Sequence, residues 1–600
     1  MASVWEELKR RNVLRVIVAY LAGSWLLLQI ADVVLPRLGV PDRVLTILII
    51  VVAVGFVPAL VISWAFEWTP EGLKRDAQVA PSDSIAPQTG KMLDRVIMVV
   101  LALAVGFFAV DKFALDPARD VVREEAAEQR GRIDALIESY GDKSIVVLPF
   151  VNMSSDPEQD FFSDGVSEEI LNLLTRIREL RVISRSTAFA YRGDVHVPTV
   201  AEELNVAYVL EGSVRMAGNT VRITAQLIDA RIDAHVWSAT WDRELVDIFE
   251  IQDEVARNVA DQLQLQLLGQ RLESQTVDPD LYIEYLQLKN AIGGTRATAQ
   301  MIRRLERLVE SAPEYVPAIV LLGNAYYYST GTGPNSLYEP VMGYELAAAM
   351  SQRALMIDSD YAPANAYVGW SEAIFNRDLH SAARQLHRAF ELGPGNAEVL
   401  WLVGIFARAI GRFEDAIRLG EMSIVRDPAC SVCYRDLGHA FKQAGDCESA
   451  EWAYRERMRI SSGGWIGVGL TLMLQGKYEE ALNAISRPEA EDDRFLPYRA
   501  MVFYSQGRIG DYEESVQQLL DGDAEERPVA MAWLFAWSGD VDRGFEWLEK
   551  ALAAGYEIQY QYWDPFYENL RQDPRWPEFI APYWFTEEEL KAVEFDLFSD

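Results

Sequence analysis

Histidine and cysteine are the scarcest reactive residues in this sequence, with five and three copies in 600 residues. Cys430, Cys433 and Cys447 all lie in the C-terminal half, so no disulfide framework holds the chain together and its cores must do so. His380 and His387 stand seven positions apart, too far for one ion without further ligands. No Walker loop, dinucleotide fingerprint or nucleophile elbow is present, and "NAIGGTRATA" lacks the lysine of a phosphate loop. Basic charge is also in deficit. The net charge of −34 argues against broad affinity for nucleic acid, which needs a basic face. A non-enzyme without a cofactor or metal is the expectation.

Hydrophobic residues, by contrast, make up 50% of the chain and aromatic ones 11%. A chain of this length and composition builds several cores. Apolar runs begin the chain at Val16–Leu35, Val44–Phe66 and Val96–Leu115. The first two are long enough for a ~30 Å hydrocarbon layer, and Asp111 and Lys112 sit near the end of the third. No small-residue cleavage site follows the first run, so an anchor is expected and not a removed signal peptide. Lys9, Arg10, Arg11 and Arg15 precede the first run, and Lys74, Arg75, Lys91 and Arg95 follow the second. That distribution places those segments in the cytoplasm and the remainder across a bacterial inner membrane, in the periplasm. The orientation depends on the third run being a true span. Residues 1–115 are thus expected to be an anchor of three transmembrane helices, and 116–142 a charged helical linker.

The stretch "DPEQDFFSDGVSEEILNLLTRI", Asp156 to Ile177, crowds carboxylates ahead of an apolar stripe. Phe162, Val166, Ile170, Leu174 and Ile177 recur at helical spacing. Asp164, Glu168 and Glu169 would then favour the positive end of that helix. A metal or acid–base role is the alternative, though Asp156, Asp160 and Asp164 lack calcium-loop spacing. "SIVVLPF" and "LRVISRS" read as strands. Val206–Met216 and Thr220–Ala230 alternate about Ala217-Gly218-Asn219 as a hairpin, "AHVWSATWDREL" adds a strand, and Asp247–Leu268 closes as a helix.

"SIVVLPFVNMSSDPEQDFFSDGVSEEI", "LRVISRSTAFAYRG", "VAYVLEGSVRMAGNTVRITAQLIDA" and "HVWSATWDREL" together resemble the TolB N-terminal-like domain, which is related to the FlgO and CsgG periplasmic folds. The resemblance covers roughly Ser144–Leu268. It implies an α/β (α+β) domain over 143–270, placed between a membrane anchor and tetratricopeptide repeats. The ring-forming habit of CsgG-related folds implies a homo-oligomer. Some relatives carry a class III adenylate cyclase or a winged helix ahead of the membrane segment. With about fifteen residues before the first apolar run, neither role is carried over. The segment "WEELKRRNVLRVIVAYLAGSWLLLQIADVVLP" resembles the leader of the cyclase-free relatives.

Small residues recur with a turn residue seven positions on, from Gly369, Gly404, Gly438, Gly469, Ala500 and Ala532, after a first unit at Gly323. The period of about 34 residues is that of tetratricopeptide helix pairs. The array is expected over 278–585, with "YWDPFYENLRQDPRWPEFI" as its cap. On that pattern Asn324, Tyr327, Trp370, Trp401, Ile405, Arg408, Arg435, His439 and Lys442 line the concave groove. Arg408, Arg435 and Lys442 would suit an acidic peptide or a terminal carboxylate. Ordinary solvated surface is the competing reading for each of them. Cys430 and Cys433 near a helix start read as packed cysteines first, as a local disulfide second, and as a redox pair last.

The expected class is a multidomain chain: an α-helical membrane anchor, a TolB-like α/β domain and an all-α tetratricopeptide solenoid. Its expected work is that of an inner-membrane-anchored scaffold or sensor binding protein partners, with no nucleic acid. The alternatives are a non-catalytic regulator of a membrane signalling partner, a periplasmic thiol oxidoreductase, or a hydrolase at the acidic loop.

Overall fold

The computed structural model describes 129–598 with breaks at 194, 264, 266–276, 293–296, 331–336, 339, 462, 487–492 and 523, plus scattered residues between 16 and 98. Two compact units divide the chain, Met1–Glu124 and Glu125–Asp600. In the first, β1 (Phe66–Thr69) pairs antiparallel with β2 (Gly72–Arg75). The expected class needs correction here. Among the described residues, no helix is long and apolar enough to cross a membrane. The described chain is mostly helical with a small mixed sheet. The described helices that lack charged residues, such as those over Trp465–Leu474 and Pro528–Trp537, have only 10 residues each, about half of what a span needs. Most of the three apolar runs lies outside the described residues.

The second unit holds a sheet ordered β5-β3-β6-β7-β8, with β4 also on β6. Its strands are β3 (Ser144–Val147), β4 (Val151–Asn152), β5 (Arg181–Val182), β6 (Tyr208–Ala217), β7 (Thr220–Asp229) and β8 (Ala234–Glu244). Pairing is parallel around β3 and antiparallel from β6 to β8. The β6–β7 turn needs a left-handed residue, which Gly218 supplies at φ +61°. Both faces of β3 are covered. Ile145 and Val147 belong to the main core, while Val146 and Leu148 join Ile183, Val200 and Leu204 in a second cluster. Strand β5 is shorter than "LRVISRS" suggests. The backbone N–H of Ser184 leaves the sheet to donate to Arg426 O at 2.8 Å, and a short helix over Arg185–Ala188 follows.

Helix α1 (Asp160–Leu174) buries Phe162, Val166, Ile170 and Leu174 of the stripe read from the sequence, while Ile177, also buried, lies beyond its end. Its carboxylates are placed differently from the expectation. Asp160 alone stands in the first turn, and Asp156 caps the preceding turn. Asp164 lies beyond the end field and accepts two bonds from Arg192, at 2.9 and 2.7 Å. Helices α2 (Arg185–Ala188), α3 (Val197–Leu204) and α4 (Ile248–Gln262) complete this domain.

Helix pairs then follow: α5 (Pro279–Ile292) with α6 (Ala299–Ser311), α7 (Val316–Tyr328) with α8 (Pro340–Ile357), and α9 (Ala362–Ser371) with α10 (Leu379–Leu392). Next come α11 (Ala397–Ala409) with α12 (Phe413–Arg426), and α13 (Ser431–Gln443) with α14 (Cys447–Ile460). The last are α15 (Trp465–Leu474) with α16 (Tyr478–Ile485), α17 (Leu496–Ser505) with α18 (Ile509–Asp521), and α19 (Pro528–Trp537) with α20 (Val541–Ala553). The spacing in the sequence has two physical causes. The small residues are crossing points: a Cβ at Gly438 would meet the Tyr454 ring at 2.7 Å, and one at Gly469 would meet Ile485 at 2.3 Å. The turn residues at 411, 445, 476, 507 and 539 are glycines with positive φ, which end each first helix. At α9 the unit has one residue more. A π-turn over Glu372–Asn376 absorbs it, and Arg377 takes the left-handed position at φ +52°.

The sheet domain is fused to the repeats. Lys289 Nζ on α5 donates to Glu169 at 2.6 Å and stands 3.2 Å from Glu168. Glu168 also pairs with Arg185 at 2.8 Å. Gly165 lets α5 approach, since a Cβ there would meet Leu286 at 2.6 Å. Buried Arg181 donates to Val425 O at 3.0 Å, and Thr187 Oγ1 donates to Asp427 at 2.7 Å.

Candidate functional site

The first helices α7, α9, α11 and α13 carry the nine residues singled out by the repeat pattern. These do gather on one face, but the chain's own C-terminal segment covers much of it. After α20 the chain makes short turns at Ile558–Tyr560, Pro565–Tyr567 and Glu568–Arg571, and these fold back over the array.

Tyr560 is the first point of contact. Its hydroxyl lies 3.2 Å from that of Tyr327, and its ring stacks on Trp370 with centroids 5.7 Å apart. Its carbonyl accepts a bond of 3.3 Å from Gln443. Trp563 Nε1 then donates to Ala409 O at 3.0 Å. Asp564 follows, wholly buried, and takes Lys442 Nζ at 2.6 Å. The Lys442 ammonium also lies 4.9 Å from the centre of the Phe566 ring, a cation–π contact. Asp564 caps its own turn as well, accepting from the Phe566 N–H.

The remaining groove residues are held by neighbours. Asn324 donates to Glu398 at 2.7 Å, and Trp401 Nε1 donates to Asp436 at 3.1 Å. Arg435 Nε reaches the same Asp436 at 2.9 Å. His439 Nδ1 lies 3.0 Å from the Tyr454 hydroxyl. Ile405 and Arg408 are buried, and Arg408 Nη1 has no hydrogen-bond partner among the described residues. Burial, followed by Lys442, Arg408 and Arg435, drives the His439 imidazole well below its ordinary pKa, so the ring is neutral. Burial pushes Glu398 up to about 7, against the pull of Lys289 and the Asn324 bond. Burial likewise raises Glu557.

This face is therefore basic and aromatic, and it already holds an aromatic and acidic strand of chain. It offers recognition: stacking planes, one buried ammonium, and guanidinium groups beyond it. Asp564 and Tyr560 do not stand out in the sequence, where "YWDPFYENL" reads as a cap on the last pair alone. The demand of a buried Lys442 for a carboxylate is the signal that could have found Asp564. The sulfur pair also differs from the packed cysteines expected first. Cys430 and Cys433 are joined in a disulfide at the start of α13, and only Cys447 is free.

No family model matches the chain. A curated relative from Rhizobium meliloti (strain 1021), named "Putative adenylate cyclase 3", is 37% identical over 246 residues. The match takes in 36% of this chain and 42% of the relative, so the chain spans about two fifths of that relative's length. Among solved structures, the TPR domain of P58(IPK) aligns with 56% of this chain and 94% of its own, at 14% identity and a TM-score of 0.17. The repeat assignment rests on the helix pairs described above.

Proposed function

We propose that this chain is a protein-interaction scaffold. Its repeat face takes an extended aromatic and acidic segment of a partner, in exchange with its own C-terminal segment. The observation that carries the reading is the seating of Tyr560 on Tyr327 and Trp370 and of Asp564 on Lys442. A helical groove that holds such a segment in cis has the chemistry to hold one in trans. The TolB-like domain supplies a second docking or self-assembly surface, a reading favoured by the length of its edge strand β8, Ala234–Glu244. The Cys430–Cys433 disulfide favours an oxidising compartment, the periplasm in a bacterium.

A second reading, regulation of a signalling partner, is favoured by the similarity to a protein named as an adenylate cyclase. In it, the shared portion of the two chains would be the recognising part and not the catalytic one.

A photo-crosslinking amino acid placed at Arg435, and separately at Trp401, tests the proposal in living cells. Adducts to a second protein, mapping to an acidic and aromatic segment, support it. Adducts confined to the chain's own residues at both positions would sink it.

A further inference from the structure

Cys430 and Cys433 stand at the start of a thirteen-residue helix, and three features set them apart from packed cysteines. First, they are already paired, with Cα atoms 5.3 Å apart. Second, Cys430 occupies the N-cap, where its sulfur accepts the backbone N–H of Cys433 at 3.0 Å. The free N–H groups and dipole of a helix start stabilise a thiolate at that position, so the reduced pair has a preferred nucleophile. Third, both residues are only half-buried, Cys433 with one side against the core, and the apolar residues Ala429 and Val432 beside them are exposed. Val432, between them in the sequence, is 46% exposed, and Ile460 is 38% exposed. The hydroxyls of Ser431 and Ser461 meet at 2.8 Å, which brings the end of α14, and Ile460 with it, to the start of α13.

Cys447 provides an internal contrast. It too begins a helix, but burial first, and Glu448 next, push its thiol up to about 11, and no sulfur partner stands beside it. Cys447 is thus held as a thiol, while Cys430 and Cys433 are paired at a helix start.

We propose that Cys430 and Cys433 form a thiol–disulfide exchange site whose substrate is a protein dithiol presented on an apolar segment. A substrate thiolate attacks Cys430 Sγ, making a mixed disulfide and releasing Cys433 as thiolate. The second substrate thiolate then attacks the substrate sulfur of that bond, closing the substrate disulfide and releasing Cys430 as thiolate. The two protons lost by the substrate thiols end on Cys430 and Cys433, and two electrons pass from substrate to chain. In the return direction Cys430 is the attacking group and Cys433 the resolving one. This chemistry is independent of the groove reading.

The full chain is first reduced with dithiothreitol and equilibrated in buffers of reduced and oxidised glutathione, with the Cys430–Cys433 pair read by intact mass. Expected is a pair that titrates between dithiol and disulfide while the fold, followed by circular dichroism, is unchanged. In the Cys433→Ser variant, oxidised glutathione leaves a stable adduct on Cys430. In Cys430→Ser the remaining thiols react roughly tenfold or more slowly. A disulfide that stays closed across all buffers until the chain unfolds would overturn the proposal, as would equal adduct rates at Cys430 and Cys433. The glutathione titration uses the unaltered chain, so its outcome does not depend on either variant folding.

Discussion

Lys442 and Asp564 lie 122 positions apart in the chain and form an ion pair of 2.6 Å, with side chains only 3% and 0% exposed. One residue belongs to the groove face of α13 and the other to the segment that returns across it. Removing either partner alone leaves a buried charge without its counter-ion.

Lys442→Met is therefore expected to destabilise the second unit by about 3–5 kcal/mol, the usual loss for half of a buried pair. The double variant Lys442→Met with Asp564→Leu should recover part of that loss, since two apolar groups replace two charges. Urea denaturation of the three proteins measures both numbers. A double variant no better than the single one would mean that Asp564 acts chiefly as the cap of its own turn.

Glu398 gives the chain a pH dependence. Its folded pKa of about 7 lies above the ordinary 4.5, so the folded state binds more protons than the unfolded state between those values. The contribution of this group to stability is then highest below about 4.5, falls as pH rises through the window, and levels off above 7. Glu398→Gln keeps an acceptor for Asn324 and removes the titration. It should flatten that fall and gain roughly 2–3 kcal/mol over the parent at pH 8. Paired denaturation curves at pH 5 and pH 8 check it.

Gly438→Ala should cost about 1–3 kcal/mol, because the added methyl group meets the Tyr454 ring at 2.7 Å and a ring cannot fold aside. The strain falls on the His439–Tyr454 contact. Gly445→Ala strains a different term, since the φ of +87° there disfavours any L side chain. Thermal melts of the two variants should both fall, with a tyrosine fluorescence change in the first only.

Lys289→Met separates the two halves of the second unit. It leaves Glu168 and Glu169 side by side, with Arg185 the remaining cation on Glu168. The expected outcome is a denaturation curve with two transitions in place of one, as the sheet domain loses its hold on α5. A single transition at an unchanged midpoint would show that the rest of the seam, the Gly165–Leu286 packing with the Arg181–Val425 and Thr187–Asp427 bonds, holds without Lys289.

Much of the repeat architecture was legible in the sequence, because its causes are local. A crossing glycine and a turn glycine seven positions apart answer to one helix pair each, so Gly404 with Gly411 and Gly438 with Gly445 could be read directly. The stripe from Phe162 to Leu174 is local in the same sense. The carboxylates between those apolar residues were not legible. Asp164 answers to Arg192 and Glu168 to Arg185 and Lys289, and no pattern within the helix names those partners.

Helix pairs, their turns and the alternation of β6 and β7 follow from the order of residues alone, since backbone conformation and periodicity over a few positions set them all. So does the placing of Cys430 and Cys433 at a helix start. The folded chain was needed to show that Asp564 balances Lys442, that Tyr560 fills the space between Tyr327 and Trp370, and that the sheet domain is locked to the repeats. These depend on the chain returning upon itself. A charge taken out of water must be matched by whatever the fold brings within reach, and sequence distance does not limit that choice.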